Sequence, residues 1–209
     1  MQTPTRADPP FIPLRTSGWP SRRSPRWLLA SLAVLAVIGA LIGLAHRPTQ
    51  GQRATDLRGF LQTLTADVGS CAAGVSESLT LLHAIDTGAS HDLATAVSEV
   101  DYGVANCSPA NSELVDDLTN AQAPESLASY HLQTAITALI TWAAPDAQKV
   151  MADVAAALGS RGKPAQAADL TRLRLDLRAL NAQRAAVYSA LGPAIRALSP
   201  HSRPPVLPG

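Results

Sequence analysis

Trp27 to Ala45 (WLLASLAVLAVIGALIGLA) is a run of nineteen residues without a formal charge. A bilayer offers no water to backbone N–H and C=O groups, so a single segment can cross it only as a helix. At ~1.5 Å of rise per residue this run reaches about 28 Å, close to the ~30 Å hydrocarbon core. It is therefore expected to be a transmembrane helix, with residues 46–209 on one side and 1–26 on the other.

The flanks set the orientation. Arg6, Arg15, Arg22, Arg23 and Arg26 precede the segment against Asp8, and Arg47, Arg53 and Arg58 follow it with Asp56. Within ten residues of each end the basic count is three before and two after. Positive charge resists translocation, and Trp27 stands where an interfacial aromatic anchor belongs. The expectation is a single-pass protein of the cell membrane with its N-terminus cytoplasmic and its C-terminal domain extracytoplasmic. A cleaved signal is the competing reading, because Gly43-Leu44-Ala45 is an acceptable exit site. The apolar run exceeds the usual ~7–15 residue signal core, which favours a retained anchor. Both readings export residues 46–209.

The first 26 residues hold six prolines and the last eleven, 199–209, hold four. Both are read as disordered Pro-rich tails, because neither can bury a core. The roughly 150 residues between anchor and tail suffice for one domain. Fifteen of the seventeen basic residues are Arg and Ala is abundant, a bias expected of a GC-rich genome of the actinobacterial kind.

That domain reads as all-α. From Leu57 the apolar positions run Leu57, Leu61, Leu64, Val68, Cys71, Val75, Ser78, Leu82, Ile85, in alternating steps of four and three. This is a helix with one buried seam. Gly88 ends it as a C-terminal cap. Leu93, Val97, Val100, Val104 and Cys107 form a second seam with the same steps.

Folding the chain back at Ala89 places Cys71 and Cys107, eighteen residues to either side, at the same height on facing seams. Matched height on facing seams is what disulfide geometry requires, and an exported compartment would oxidise the pair. Two buried free thiols are the alternative.

Ser108-Pro109 restarts the chain as a helix, with Ser as N-cap and Pro at the first helical position. Pro124 opens the next arm, whose seam reads Leu127, His131, Thr134, Ala138, Trp142, with Pro145 expected to kink or restart it. Gly162 and Pro164 turn into a last helix with the seam Leu170, Leu173, Leu177, Leu180, Arg184, Val187, Leu191, Ala194, Leu198. Leu173 to Leu177 alternates like a strand but lacks β-branched residues, so it too is read as helix. The arms span 51–86, 92–119, 124–158 and 164–198. Short connections predict an antiparallel up-down four-helix bundle over 46–198, with helices broken near Pro109 and Pro145.

Charge divides along the chain. Residues 56–153 carry thirteen acids against Arg58 and Lys149, a net of −11, and residues 160–209 carry eight basic residues against Asp169 and Asp176, a net of +6. The simplest expectation is that the last helix pairs its basic flanks with acidic neighbours. A partner-binding face is the sharper alternative.

No chemical motif holds up. Gly159-Ser160-Arg161-Gly162-Lys163-Pro164 has the wrong glycine spacing for a phosphate loop and Pro where Ser or Thr is needed. Adjacent Ser90, His91 and Asp92 cannot form a catalytic relay, and Ser90 or Asp92 suits a helix start. His83 with Asp86 reads as a solvated pair, and His131 as a core histidine. Asp116-Asp117 lacks calcium-loop spacing. The expectation is no catalytic, cofactor-binding or metal site, no enzyme activity and no nucleic-acid partner. Gly39 and Gly43 form a small-xxx-small pattern that allows close approach of two membrane helices, and so a homodimer.

These readings converge on a membrane-tethered extracytoplasmic bundle that binds or scaffolds an envelope protein in a bacterium, without catalysis. The alternatives are a sensory or ligand-binding bundle signalling through a partner, and a secreted helical protein after cleavage near Ala45.

Overall fold

The computed structural model describes residues 32–38, 47–89, 92–107 and 112–209. The chain divides into two units, Met1–Arg47 and Pro48–Gly209. In the first, residues 32–38 are helical, with Leu32, Val34, Leu35, Val37 and Ile38 all exposed. The rest of the 27–45 segment, including Gly39 and Gly43, and the tail 1–26 lie outside the described residues.

The second unit is helical throughout its regular structure, with no strand among the described residues. Its α-helices are α1 (Gln50–Asp86), α2 (Leu93–Asn106), α3 (Ser112–Asn120), α4 (Gln133–Thr141), α5 (Gln148–Gly159) and α6 (Gln166–Leu198). A 3₁₀ segment, Glu125–Tyr130, precedes α4, and a π-helical turn, Trp142–Ala147, joins α4 to α5.

The α1 seam is realised: Leu57, Leu61, Leu64, Val68, Cys71, Val75, Ser78 and Ile85 are buried and Leu82 is half-buried. The polar member Ser78 returns its hydroxyl to the Gly74 carbonyl at 2.7 Å, so its burial leaves no unpaired donor. α1 is long and apolar enough to cross a membrane. Here, however, its seam packs on α2, α5 and α6, as a core helix does. Gly88 at φ 74 follows the α1 C-terminus, its N–H reaching the Ile85 carbonyl at 3.2 Å. Asp92 caps α2, accepting from the Thr95 N–H at 3.0 Å and its hydroxyl at 2.6 Å. Helices α5 and α6 pack side by side, and α5 also packs on α2.

The 124–158 arm is interrupted near Pro145 as expected, by a π-helical turn and not by a full break: the α-helix ends at Thr141 and resumes at Gln148, with Pro145 inside the turn between them. A wider turn accommodates a residue with no N–H to donate and a ring that crowds the preceding carbonyls. The seam phase differs from the expectation. His131 is exposed with φ 52, and Thr134 is exposed, whereas Leu132, Ala135, Ile136 and Leu139 are buried. A 3₁₀ segment turns every ~3.0 residues, and the left-handed residue after it shifts the phase, so His131 and Thr134 leave the expected seam while Leu127, Ala138, Leu139 and Trp142 are buried on it. His131 is therefore no core histidine. The chain around Pro109 lies outside the described residues, between the end of α2 at Asn106 and the start of α3 at Ser112.

Residues 199–209, read as a disordered tail, are ordered against α6. Leu207 and Pro205 are buried. The Tyr188 hydroxyl donates to the Pro205 carbonyl at 3.0 Å and accepts from the Leu207 N–H at 3.2 Å. Arg184 donates to the Leu207 and Gly209 carbonyls, each at 3.4 Å. Prolines forbid a helix there, but they pre-set an extended strap whose carbonyls remain available as acceptors.

Candidate functional site

Cys71 of α1 and Cys107, just past α2, are brought together at disulfide distance, with sulfurs 2.05 Å and Cα atoms 4.8 Å apart, and both are fully buried. Glycine makes this approach possible. A Cβ on Gly74 would stand 3.3 Å from the Cα and the carbonyl oxygen of Gly103, and one on Gly103 would meet Met151 Sδ at 3.4 Å. Gly74 lies three residues after Cys71 and Gly103 four before Cys107, so glycine contact and cysteine pair form one crossing. Gln148 at the start of α5 donates to the Cys107 carbonyl, tying the third helix to it.

A second cluster, which nothing local in the sequence announces, lies between α5 and α6. Asp153 keeps only 9% of its side chain exposed, faces Arg172 at 3.9 Å, and leaves Oδ2 without a hydrogen-bond partner. Arg172 also reaches Asp169 at 3.8 Å. Burial first, then hydrogen bonding and like charge from Asp176, push the Asp153 carboxyl up to about 6, with Arg172 opposing. Asp146, in the π-helical turn, is raised mainly by burial, against the pull of Lys149 at 3.8 Å. The chemistry available here is proton binding at Asp153, whose protonation removes a buried charge that Arg172 only partly offsets. Among the described residues no group of three side chains is placed to hold a metal ion.

The remaining sequence candidates fall apart spatially or serve structure. Gly159 to Pro164 is the α5–α6 turn, with Gly162 at φ 72 and Lys163 Nζ donating back to the Gly159 carbonyl at 2.8 Å. Its Arg161 donates to the Ile85 carbonyl and lies 4.0 Å from Asp86, binding this turn to the end of α1. Ser90 and His91 lie outside the described residues. The expected pairing of α6 with acidic neighbours is limited to Arg172, with Arg161 in the preceding turn pairing with Asp86. Arg174 and Arg178 make no ion pair among the described residues.

Two of the surface recesses are grooves beside the C-terminal strap. One of about 320 Å³ is lined by Gly69, Ala72, Ala73 and Ser76 of α1 and by Val206 and Pro208. Another of about 570 Å³ has Arg58 and Gln62 on one side and Ser202 and Arg203 on the other. A third, of about 440 Å³, lies between residues 55–63 of α1 and residues 121–124. None of the three gathers a nucleophile with a base, or a pair of carboxylates. No family model, no curated protein and no solved structure matches the chain.

Proposed function

We propose that the protein is a membrane-tethered, extracytoplasmic helical module that binds or scaffolds an envelope protein and performs no catalysis. The observation that carries this reading is the buried Cys71–Cys107 pair at a Cα separation of 4.8 Å. A disulfide is stable in an oxidising compartment and rare in a reducing one. The uncharged segment 27–45 supplies the tether, and its apolar residues 32–38 are helical and exposed, as a lipid-facing surface is. The arms 50–86, 93–120, 125–159 and 166–198 act as an up-down four-helix bundle whose side faces are offered to partners. The tether lies directly before the bundle in the chain, and the N-terminal tail is placed in the cytoplasm.

The test is fractionation with thiol counting. The full chain is expected in the membrane fraction, resistant to carbonate extraction, with no thiol alkylated before reduction and two after it. A soluble cytoplasmic chain with two free thiols would contradict the reading. Crosslinking in intact cells from exposed positions of α2 and α6 then identifies the partner.

A further inference from the structure

Apart from Val206 on the strap, two large apolar side chains of the second unit stay mostly exposed: Tyr102 of α2 at 74% and Leu175 of α6 at 57%. Their surroundings mirror each other in charge. Tyr102 has Glu99 three residues before it and Asp101 beside it. Leu175 has Arg174 beside it and Arg178 one turn on; Arg172, three residues before it, is already paired with Asp153 and Asp169, and Asp176 on its other side is half-buried. Glu99, Asp101, Arg174 and Arg178 are exposed and form no ion pair among the described residues. An exposed apolar anchor flanked by two unpaired charges of one sign, with the opposite sign at the other anchor, gives two complementary faces.

The two faces also match in position. Both helices start at the same end of the unit, where Arg161 before α6 meets Asp86 at the end of α1. Tyr102 is nine residues past the first residue of α2, Leu93, and Leu175 is nine past the first residue of α6, Gln166. Both therefore lie about 14 Å below that end. α2 packs on α1 and α5, while α6 packs against α1, α4 and α5. The acidic and basic faces thus lie on two different helices that do not pack on each other, at similar distance from that end.

We propose that the occupant of each face is a second copy of this chain: the Tyr102 face of one copy docks on the Leu175 face of its neighbour. Two different faces make this contact heterologous, so it propagates into rows or rings and does not stop at an isologous dimer. This inference rests on the tethered-scaffold reading and names its partner class, but the contact itself depends on the folded unit and not on the compartment.

The test uses the full chain in detergent micelles, with one exposed cysteine added four residues before each anchor, as Ser98→Cys or Thr171→Cys. The native pair is buried and stays unreactive. Mixing the two variants under mild oxidation is expected to give roughly fivefold or more of the 98–171 product over either self-pair, and less of it at high salt. Arg174→Glu with Arg178→Glu on the Thr171→Cys chain should cut the yield about tenfold. Glu99→Arg with Asp101→Arg on the other chain should restore it. Restoration shows that the reversal acted through pairing and not through misfolding. Equal yields of the three products, no product, or a yield insensitive to reversal would overturn the proposal. A failure here leaves membrane location and thiol state unchanged, so it is distinguishable from failure of the tethered reading.

Discussion

Gly74 and Gly103 meet backbone to backbone across the α1–α2 crossing, so that a Cβ on the first would stand 3.3 Å from the Cα of the second. Neither backbone can withdraw, because Cys71 and Cys107 pair one helical turn away. Glycine costs a helix interior up to ~1 kcal/mol relative to alanine. Its use here is compensated by the close approach, which seats the cysteines at bonding distance.

Overpacking this crossing is therefore expected to be costly. Gly74→Val should destabilise the protein by about 1–3 kcal/mol in denaturant unfolding. Gly69→Ala, on an exposed face of the same helix with nothing within 4 Å, should instead stabilise it by up to ~1 kcal/mol. Equal effects at the two sites would contradict the crossing geometry.

Cys71→Ala with Cys107→Ala removes a link across a sequence separation of 36 residues. In the chain-entropy account such a link contributes roughly 2–4 kcal/mol. Reduction of the wild-type chain should lower the melting temperature, and the double variant should show no response to reductant.

Stability should rise as pH falls from 7 towards 4.5. The Asp153 carboxyl titrates at about 6 in the fold against 3.8 when unperturbed, so the folded state binds the proton more tightly. Ionisation then penalises the fold: the penalty is absent below pH ~4, grows between pH 4 and 6, and is complete above, at most ~3 kcal/mol. Asp146 and Asp67, both raised mainly by burial, act in the same sense, whereas the lowered Asp92 acts in the opposite one. Asp153→Asn should stabilise the protein at pH 7 and flatten the melting-temperature profile between pH 4 and 6.

The Tyr188 hydroxyl makes two of the four hydrogen bonds that tie the strap to α6, the others coming from Arg184. Tyr188→Phe removes both the bond to the Pro205 carbonyl and that from the Leu207 N–H. Residues 200–209 should become sensitive to protease at concentrations that leave the wild-type strap intact, with a loss of about 1–2 kcal/mol in strap docking. The helical core should melt almost unchanged.

What the sequence makes legible is what depends on local period. The four-three steps of α1 and the seam of α6 from Leu173 to Ala194 can be read directly, since one buried face of a long helix repeats faithfully. The cysteine pairing follows from the same periodicity, through eighteen residues on each side of Ala89. The 124–158 arm escapes in part, because a 3₁₀ segment and one left-handed residue, His131, shift the phase with no compositional warning. The strap escapes too: its prolines exclude a helix, and only Tyr188, seventeen residues before Pro205, reveals where it docks. Asp153 and Asp176 meet across two helices, a tertiary relation that no spacing along the chain encodes.

On the proposed reading the helical unit lies outside the cytoplasm on a membrane tether. Labelling of a Ser189→Cys variant, at an exposed position of α6, with a membrane-impermeant maleimide in intact cells tests it most directly. Full labelling at Ser189→Cys is expected before lysis, with Cys71 and Cys107 unreactive until reduced. Labelling that appears only after lysis would place the unit in the cytoplasm and contradict that reading.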